Sequence, residues 1–491
     1  PGGRPVPEAP PGAAAPAATA PPAATAAPPP SEHRDPLALT LPTGKPAPVS
    51  PEQYQQLARS LLAEMVSIDT TLSKGSTTRA SEAVRARLLA AGFAESDVQV
   101  VTAPDLPERG NLVVKLAGSD ASLKPLLLLA HIDVVDANRE DWTLPPFELI
   151  ERNGAFYGRG VADDKDEAAI YIANLIRMKQ EGFVPRRGIV VALPTEEETG
   201  EPNGVDLLLR EHPQLVDAAF VFNEGGGGKL ESDGRRVSNQ VQAAEKKFLN
   251  YTLEVTDPGG HSSRPREDNP IRRLGVALSR ISTTFVPVKL NPVSREYLRR
   301  TADLVGGEDG KQMAALAAND QDAAAIAHLS KDPGNNATIR TTCVPTLLQG
   351  GHAENALPQR ATANINCRLV PDDEPEFVLA QLRKVIADDG VKITISGEAT
   401  PSPPSPVEGQ VLTAITRVTE QMWPGVPVVP TMGTGATDSK YFRMRGVPSY
   451  GVSGLFYQET GAHGMNERVP VQSFYEGQEF LYRLVKDVSA E

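Results

Sequence analysis

A histidine and an aspartate stand directly behind an unbroken apolar run in "LLLLAHIDVV", residues 126–135. A run this apolar predicts a strand that is buried on both faces. Burying two polar, protonatable side chains without partners would be costly in free energy. The sequence therefore predicts that a partner group or a bound ion lies beside His131 and Asp133.

Acidic side chains follow the other predicted strands in the same way. Ligands of parallel α/β sheets bind at the carboxyl ends of the strands, so we expect these side chains to meet at one edge of a sheet. They are Asp163 and Asp164 in "YGRGVADDKDE", Glu196, Glu197 and Glu198 after "IVVALPT", Glu224 after "AAFVFN", and His463 in "GAHGMNERVP" before the last predicted helix.

So many carboxylates at one edge would repel each other and could not all ionise. Two divalent cations would remove this conflict, and the mixture of imidazole and carboxylate favours zinc, with manganese or cobalt as substitutes. The spacing of His131 and Asp133 suits one ligand and one supporting group, in which the aspartate fixes the imidazole tautomer. Each motif alone is weak, since a single histidine or a run of glutamates is more often structural. The signal is their common order at strand ends.

The elements that must position these side chains alternate between strands and helices. This pattern fills residues 51–247 and resumes over 399–491, and it predicts an α/β fold with a mostly parallel mixed sheet sandwiched by helices. Residues 248–398 follow the order strand, helix, strand, strand, helix, strand. They predict an inserted α+β domain of ferredoxin-like type, with a long helical stretch at about 286–335.

Composition limits the partners and the location. Residues 1–50 hold 15 of the chain's 44 prolines and predict a disordered tail. The net charge of −13 argues against nucleic acid as a partner, and no apolar stretch approaches the roughly 18 residues that span a bilayer. The chain starts at Pro1, which suits a secreted or periplasmic protein after removal of a signal peptide. A trimmed chain and a cytoplasmic location stay open as alternatives.

Taken in order, the motifs resemble the co-catalytic zinc peptidases and amidases that include aminoacylase, carboxypeptidase G and succinyl-diaminopimelate desuccinylase. The resemblance covers nearly all of residues 51–487. "HIDVV" resembles a histidine ligand with its supporting aspartate, "GRGVADDK" the segment of the bridging aspartate, and "TEEETG" a general base followed by a ligand. The resemblance implies the metal ligands His131, Asp163, Glu198, Glu224 and His463, with Glu197 as the general base and Asp133 as the supporting group.

The inserted domain resembles that family's lid and dimerisation domain, which implies a homodimer. "GGHSSRP" carries His261, which in relatives stabilises the oxyanion, often from the partner subunit. Arg368 in "NCR" matches the arginine that holds a substrate carboxylate, and "GTGATDSKYF" resembles the glycine loop beside it, with Gly435 and Thr437 as substrate contacts. The overall pattern is most similar to the branch of yeast vacuolar carboxypeptidase S and secreted N-acyl-amino-acid hydrolases.

These observations together predict a binuclear zinc hydrolase that cleaves the amide bond of a small peptide or N-acyl amino acid with a free carboxylate. An aminopeptidase or dipeptidase of the same fold is the alternative, as is a non-catalytic binding relative, although the presence of Glu197 argues against the latter. The glycine runs "GGGGKL" and "GTGATDSK" lack the spacing of a phosphate-binding P-loop. The acyl group, the released amino acid and the native metal stay open.

The two cysteines test the predicted hairpin of the inserted domain. If strand 337–349 pairs antiparallel with strand 359–370, the register places Cys343 opposite Cys367. Strand alternation then puts both cysteines on the sheet face that Arg368 does not share. A disulfide and a pair of buried thiols are both compatible with this placement.

Overall fold

Helices and strands alternate along the chain in the computed structural model, which describes residues 37–199 and 202–490. None of the helices in these ranges is both long and apolar enough to cross a membrane. The helices are α1 (Glu52–Ser67), α2 (Thr77–Ala90), α3 (Lys165–Gln180), α4 (Gly204–Glu211), α5 (Pro213–Val216), α6 (Pro270–Arg280), α7 (Pro292–Val305), α8 (Gly307–Ala318), α9 (Ala323–Leu329), α10 (Pro333–Ile339), α11 (Pro375–Ile386), α12 (Gln410–Met422), α13 (Ser439–Arg443) and α14 (Val471–Ala490).

The strands form one large sheet and three smaller ones within the same described ranges. They are β1 (Val98–Ala103), β2 (Leu106–Leu116), β3 (Leu126–Leu129), β4 (Ile150–Arg152), β5 (Ala155–Tyr157), β6 (Ile189–Leu193), β7 (Phe220–Asn223), β8 (Gly227–Leu230), β9 (Arg236–Glu245), β10 (Lys247–Thr256), β11 (Gly260–His261), β12 (Thr342–Gly350), β13 (Ala356–Leu357), β14 (Arg360–Leu369), β15 (Lys392–Ser396), β16 (Val428–Gly433), β17 (Ser449–Gly451), β18 (Phe456–Tyr457) and β19 (Arg468–Pro470).

The large sheet confirms the predicted mixed α/β fold. Its strand order is β1-β2-β6-β3-β7-β17-β9-β8-β18, and β16 pairs with β9. The central strands β6, β3, β7 and β17 are parallel to one another, whereas β1 and β2 add antiparallel pairs at one side. Because the central strands run in one direction, their carboxyl ends meet at one edge.

Strand β3 explains why its sequence is apolar without a break. Leu126 and Leu128 pack into the core that includes α1, α3 and α14, while Leu127 and Leu129 pack into the core on the opposite face with α4 and α13. Successive side chains of a strand point to opposite faces, so a strand covered on both sides needs an apolar residue at every position. The polar pair follows just after the last strand residue, Leu129, and both of its side chains are still buried.

The second largest sheet lies in the segment that the sequence assigned to an inserted domain. Its antiparallel strand order is β12-β14-β10-β15, and α6 and α11 pack against one face in a core of their own. This is the predicted ferredoxin-like arrangement. The exact domain boundaries at residues 248 and 398 stay a prediction.

The strand register confirms the expected position of the cysteines. Cys343 of β12 pairs with Cys367 of β14, the two Cα atoms are 4.1 Å apart, and the side chains form a disulfide. Both lie in the core beneath α6 and α11, whereas Arg368 lies on the other face, as alternation requires.

The predicted hairpin was wrong at its first residues. The strand begins at Thr342 rather than residue 337, because α10 occupies Pro333–Ile339. The Asp332 side chain accepts the backbone N–H of Asn335, and Pro333 supplies a fixed φ at the first helical position. The long helical stretch before it consists of α7, α8 and α9, which with α10 bury a separate small core.

The predicted disordered tail lies mostly outside the described residues, since residues 1–36 are not among them. Its last part, residues 37–50, is described. The backbone N–H of Thr43 donates to the Gly234 carbonyl at 2.8 Å, and that of Ala47 donates to the Glu476 carboxylate at 2.9 Å. These contacts join residues 43–47 to the rest of the described chain, and the predicted boundary at residue 50 stays a prediction.

Candidate metal centre and active site

The sequence-predicted ligands meet at the carboxyl edge of the large sheet. His131 follows β3, Glu198 follows β6 and Glu224 follows β7, while Asp163 precedes α3. His463 enters from the turn between β18 and β19. Five residues from five separate segments thus converge, as the strand-end argument predicted.

His131 is oriented by the backbone of the next turn. Its Nδ1 lies 3.0 Å from the main-chain oxygen of Asp133, which accepts a hydrogen bond when Nδ1 carries the proton. The Nε2 atom is then left for the site, 3.0 Å from Asp163 Oδ1 and 3.9 Å from Glu224 Oε2. The sequence assigned this orienting role to the Asp133 carboxylate, which is more distant at 3.6 Å. Both the main-chain oxygen and the carboxylate of Asp133 thus lie beside Nδ1, and the orienting role of the carboxylate stays a prediction.

The Asp133 carboxylate holds the glutamate loop. Its two oxygens accept the backbone N–H groups of Glu197 at 3.3 Å and Glu198 at 3.1 Å. Glu196, the first glutamate of the run, has a positive φ of 62° and turns away to pair with Arg109 at 3.1 Å. Asp133 therefore fixes the loop, Glu196 points away from the site, and the side chains of Glu197 and Glu198 are left to face it.

Asp163 lies between the two histidines. His131 Nε2 approaches its Oδ1 at 3.0 Å, and His463 Nε2 approaches its Oδ2 at 3.2 Å. His463 Nε2 also lies 3.0 Å from Glu198 Oε2. One carboxylate with an imidazole on each oxygen is the arrangement expected of a ligand shared by two metal ions.

The segments of Asp163 and His463 are tied together by a buried glutamate. Glu467 follows His463 closely in the chain, and its carboxylate accepts the backbone N–H groups of Gly160 and Ala162, both at 2.9 Å. It also pairs with Arg159 at 2.7 Å. This network positions both segments without using a side chain of the site itself.

The electrostatics fit a cation. Burial and neighbouring carboxylates raise the pKa of Glu197 to about 8 and that of Glu198 to about 7, and they raise the pKa of Glu224 well above its usual value. Burial alone would also raise the pKa of Asp163, but hydrogen bonds from His131 and His463 lower it. A divalent cation would remove the repulsion that holds protons on these acids.

Two overlapping groups of side chains have their ligand atoms within 4.8 Å of one another. They are His131, Asp163 and Glu198, and His131, Glu197 and Glu224. The mixture of imidazole nitrogen and carboxylate oxygen fits zinc, and it is compatible with manganese or cobalt. The donor set thus fits the predicted metal centre.

His261 lies on the short strand β11, where its side chain is exposed. Its Nδ1 accepts the backbone N–H of Ser263 at 3.1 Å. Among residues 37–199 and 202–490, no hydrogen bond or ion pair joins His261 to the metal ligands. This chain alone does not bring the residue into the cluster, and its role in oxyanion stabilisation stays a prediction.

Arg368 faces away from the disulfide. Its cross-strand neighbours are Thr342 and Phe248, and its guanidinium lies 4.9 Å from the centroid of the Phe248 ring, a cation–π distance. Burial lowers its pKa. Thr342 and Arg368 line a cavity of about 310 Å³ whose other wall includes Lys331 and Asn336. The long helical stretch thus shapes the space beside Arg368.

In the glycine loop, Thr437 is held by hydrogen bonds, whereas Gly435 has free space beside it. The backbone N–H and the hydroxyl of Thr437 both donate to Glu245, at 2.8 and 2.9 Å, and Glu245 also pairs with buried Arg443 at 3.1 Å. The Thr437 hydroxyl is therefore committed to the fold. Gly435 has open space where a Cβ atom would lie. Their roles as substrate contacts stay predictions.

Sequence reasoning missed Asp438, the residue after Thr437. It is buried, accepts a hydrogen bond from Asn203 at 2.7 Å, and burial raises its pKa to about 6. An acidic residue directly after a glycine loop was the available signal. That loop was compared with a phosphate-binding turn, and the acidic residue was not considered.

The glycines after Glu224 serve strand packing. A Cβ atom on Gly226 would lie 2.0 Å from the carbonyl oxygen of Gly451, so the turn between β7 and β8 passes β17 more closely than any other residue would permit. This explains the run without a phosphate.

Comparison with known proteins gives concordant results. The model of the peptidase family M20/M25/M40 matches residues 127–487. The mouse N-fatty-acyl-amino acid synthase/hydrolase PM20D1 is 30% identical over 384 residues, which are 76% of each chain. The "probable carboxypeptidase S-like 2" of Dictyostelium discoideum is 30% identical over 389 residues, 77% of this chain and 74% of that protein.

A solved structure shares the fold. The M20 family metallo-carboxypeptidase Sso-CP2 from Sulfolobus solfataricus has a TM-score of 0.66 at 18% identity, and the match covers 88% of this chain and 99% of the other. The family model and the two relatives confirm the resemblance inferred from the motifs.

Proposed function

The chain belongs to the peptidase family M20/M25/M40 and is an amide-bond hydrolase, and from this premise we propose that it is a binuclear zinc enzyme. Its substrate is a small peptide or an N-acyl amino acid with a free carboxylate. The observation that carries the proposal is the position of Asp163 between His131 and His463, one histidine on each carboxylate oxygen.

The residues divide into two ligand sets that share Asp163. His131 and Glu224 lie on one side, and Glu198 and His463 lie on the other, which the contacts at 3.9 and 3.0 Å support. When bound, two zinc ions lower the pKa of a water and polarise the carbonyl of the substrate. Cobalt or manganese ions are the proposed substitutes.

Glu197 acts as the general base. Its backbone is held by Asp133, so the side chain is positioned beside the ligands without needing to be one of them. It accepts the proton of the attacking water and delivers that proton to the leaving amine. Burial raises the pKa of this carboxyl to about 8 when no cation is present, and a divalent cation beside it would lower that pKa toward the range that a general base needs near neutral pH.

His261 and Arg368 complete the site from the segment 248–398, which acts as the lid. His261 donates a hydrogen bond to the oxyanion that develops on the carbonyl. Because it is exposed on this chain, we propose that it acts on the site of a partner subunit. Arg368 binds the free carboxylate of the amine-side residue through its planar fork of donors, beside Gly435 and Thr437.

One further feature supports a homodimer, and another supports an oxidising compartment. Strand β12 lies at the edge of the lid sheet, and it exposes 67% of Leu347 and 66% of Leu348, which suits a second copy of the chain. The Cys343–Cys367 disulfide favours a periplasmic or secreted location, since disulfides persist where the environment is oxidising.

The test of this function is hydrolysis of a panel of substrates with and without a chelator. The panel contains N-acyl amino acids, their C-terminal amides, and dipeptides with free or acetylated amino termini. We expect turnover of the substrates with a free carboxylate, whether or not the amine is blocked. Turnover restricted to free amino termini would identify an aminopeptidase and contradict the proposal.

A further inference from the structure

Lys246 occupies a position that joins the catalytic sheet to the lid sheet. It is the single residue between β9, which ends at Glu245, and β10, which begins at Lys247. Its backbone N–H donates to the Gly433 carbonyl at 2.9 Å. Its side chain is fully buried and extends toward the lid, where Nζ donates to the Thr342 hydroxyl at 3.2 Å.

Within the part of the chain that the structure describes, the Lys246 ammonium has no carboxylate partner. Across residues 37–199 and 202–490, no acidic oxygen lies within 4.0 Å of its Nζ. The nearby acids have other partners, because Glu245 binds Thr437 and Arg443. Asp373 likewise binds Thr341 and Lys289. A buried ammonium is normally paired, since leaving it unpaired is costly.

The side chain of Lys246 lies on the sheet face of Arg368. Phe248 is the cross-strand neighbour of Arg368, and Lys246 is two residues before Phe248 along extended chain, so alternation puts all three on one face. Lys247 points to the other face, where its Nζ donates to the main-chain oxygen of Asp373 at 2.8 Å. The two adjacent lysines therefore have different environments.

Arg368 is a second cation without an acidic partner in the described ranges. It is the cross-strand neighbour of Thr342, the residue that Lys246 contacts, so two positive side chains lie near the same threonine. Burial lowers the pKa of both groups, and the charge of Arg368 lowers the pKa of Lys246 further. An anion beside Thr342 would stabilise both charges at once.

We propose that Lys246 is a specificity-determining residue, which together with Arg368 selects substrates for a free carboxylate. This inference rests on the proposed function, in which Arg368 binds that carboxylate. Lys246 adds a second positive charge at the Thr342 hydroxyl, so the site distinguishes a carboxylate from a neutral amide more strongly than one arginine could. Its connection to Gly433 places this charge at the junction of the catalytic sheet and the lid.

The experiment compares N-acetyl-L-phenylalanine with its C-terminal amide. The measured quantity is the ratio of kcat/KM for the acid to kcat/KM for the amide. We expect Lys246→Met to lower this ratio about tenfold, the size expected for one interaction with a charged group. Lys246→Arg, which keeps the charge, should retain most of the ratio. Lys247→Met is the matched control and should leave the ratio unchanged.

The outcomes separate this inference from the proposed function. If Arg368→Ala collapses the ratio but Lys246→Met lowers both substrates equally or neither, Lys246 is structural and the inference is overturned while the function stands. If the wild-type protein does not prefer the acid, both are overturned. Lys246→Gln replaces the Met variant if the latter fails to fold.

A binding measurement covers the case of a protein without turnover. Calorimetry with the same two compounds on Glu197→Gln protein, with and without Lys246→Met, gives the ratio of affinities directly. An unchanged ratio overturns the inference, and a ratio lowered about tenfold supports it, whatever the rate of hydrolysis.

Discussion

The carboxylate of Asp133 accepts the backbone N–H of Glu198 at 3.1 Å, so the end of β3 holds the loop that follows β6. The same carboxylate also accepts the N–H of Glu197. Asp133 therefore positions a proposed ligand and the proposed base together, although it was expected to act on His131.

Asp133→Ala should reduce both metal retention and turnover, because two buried N–H groups lose their acceptor and the glutamate loop is released. Loss of such a supporting group typically costs about 10–100-fold. Asp133→Asn keeps one carbonyl acceptor and should lose less. Metal content by elemental analysis and kcat/KM are the measurements, with exposed Asp136→Ala as the control. Full metal content and turnover in the alanine variant would refute this role.

Glu197→Gln should keep the metals and lose most turnover. The substitution preserves the shape and the backbone hydrogen bond to Asp133 but cannot accept a proton. General acid–base catalysis contributes roughly 10²–10⁴-fold, and kcat should fall by a factor in this range. Metal content is measured on the same sample. A variant that lost metal instead would show that Glu197 is a ligand and that the roles of Glu197 and Glu198 are exchanged.

Arg368→Ala should weaken hydrolysis of substrates with a free carboxylate far more than hydrolysis of their amides or esters. A hydrogen bond to a charged group is worth about 1.5–3 kcal/mol, or roughly 10–150-fold in kcat/KM. The matched control is Arg360→Ala, which lies on the same strand but already pairs with Glu254. Equal losses on both substrate types would favour the aminopeptidase alternative.

Replacing both Cys343 and Cys367 by alanine should destabilise the lid. The disulfide joins residues 24 apart, and a native cross-link typically contributes about 2–4 kcal/mol to the free energy of unfolding. Chemical unfolding with and without reductant measures this contribution to the free energy of unfolding. Reductant should lower the stability of the wild-type protein and leave that of the double variant unchanged. Two titratable thiols in oxidised, denatured wild-type protein would show that the cysteines are free.

The convergence of the ligands could be predicted because it depends on chain direction. In a parallel sheet the residues after β3, β6 and β7 must meet at one edge, and the apolar runs identify those strands. The position of Cys343 opposite Cys367 could be predicted for a similar reason, since the register of an antiparallel hairpin follows from the bounds of its two strands. Both inferences need only local patterns and the geometry of pairing.

The contacts that the sequence did not reveal join residues far apart or use backbone groups. His131 Nδ1 lies beside a main-chain oxygen, which no side-chain motif reports. Glu245 and Arg443 form a buried ion pair although they are almost 200 positions apart in the chain. Lys246 can reach the lid sheet only because it lies between β9 of the large sheet and β10 of the lid sheet. Such interactions depend on how the two sheets are assembled.

The central claim is that amide hydrolysis depends on two metal ions held around Asp163. The most direct measurement is turnover of an N-acyl amino acid by chelator-treated protein as zinc is added in known equivalents, with metal content determined by elemental analysis. We expect no turnover without metal, a rise to a plateau at two zinc ions per chain, and an unchanged fold by circular dichroism throughout. Full activity in protein shown to be metal-free would contradict the account.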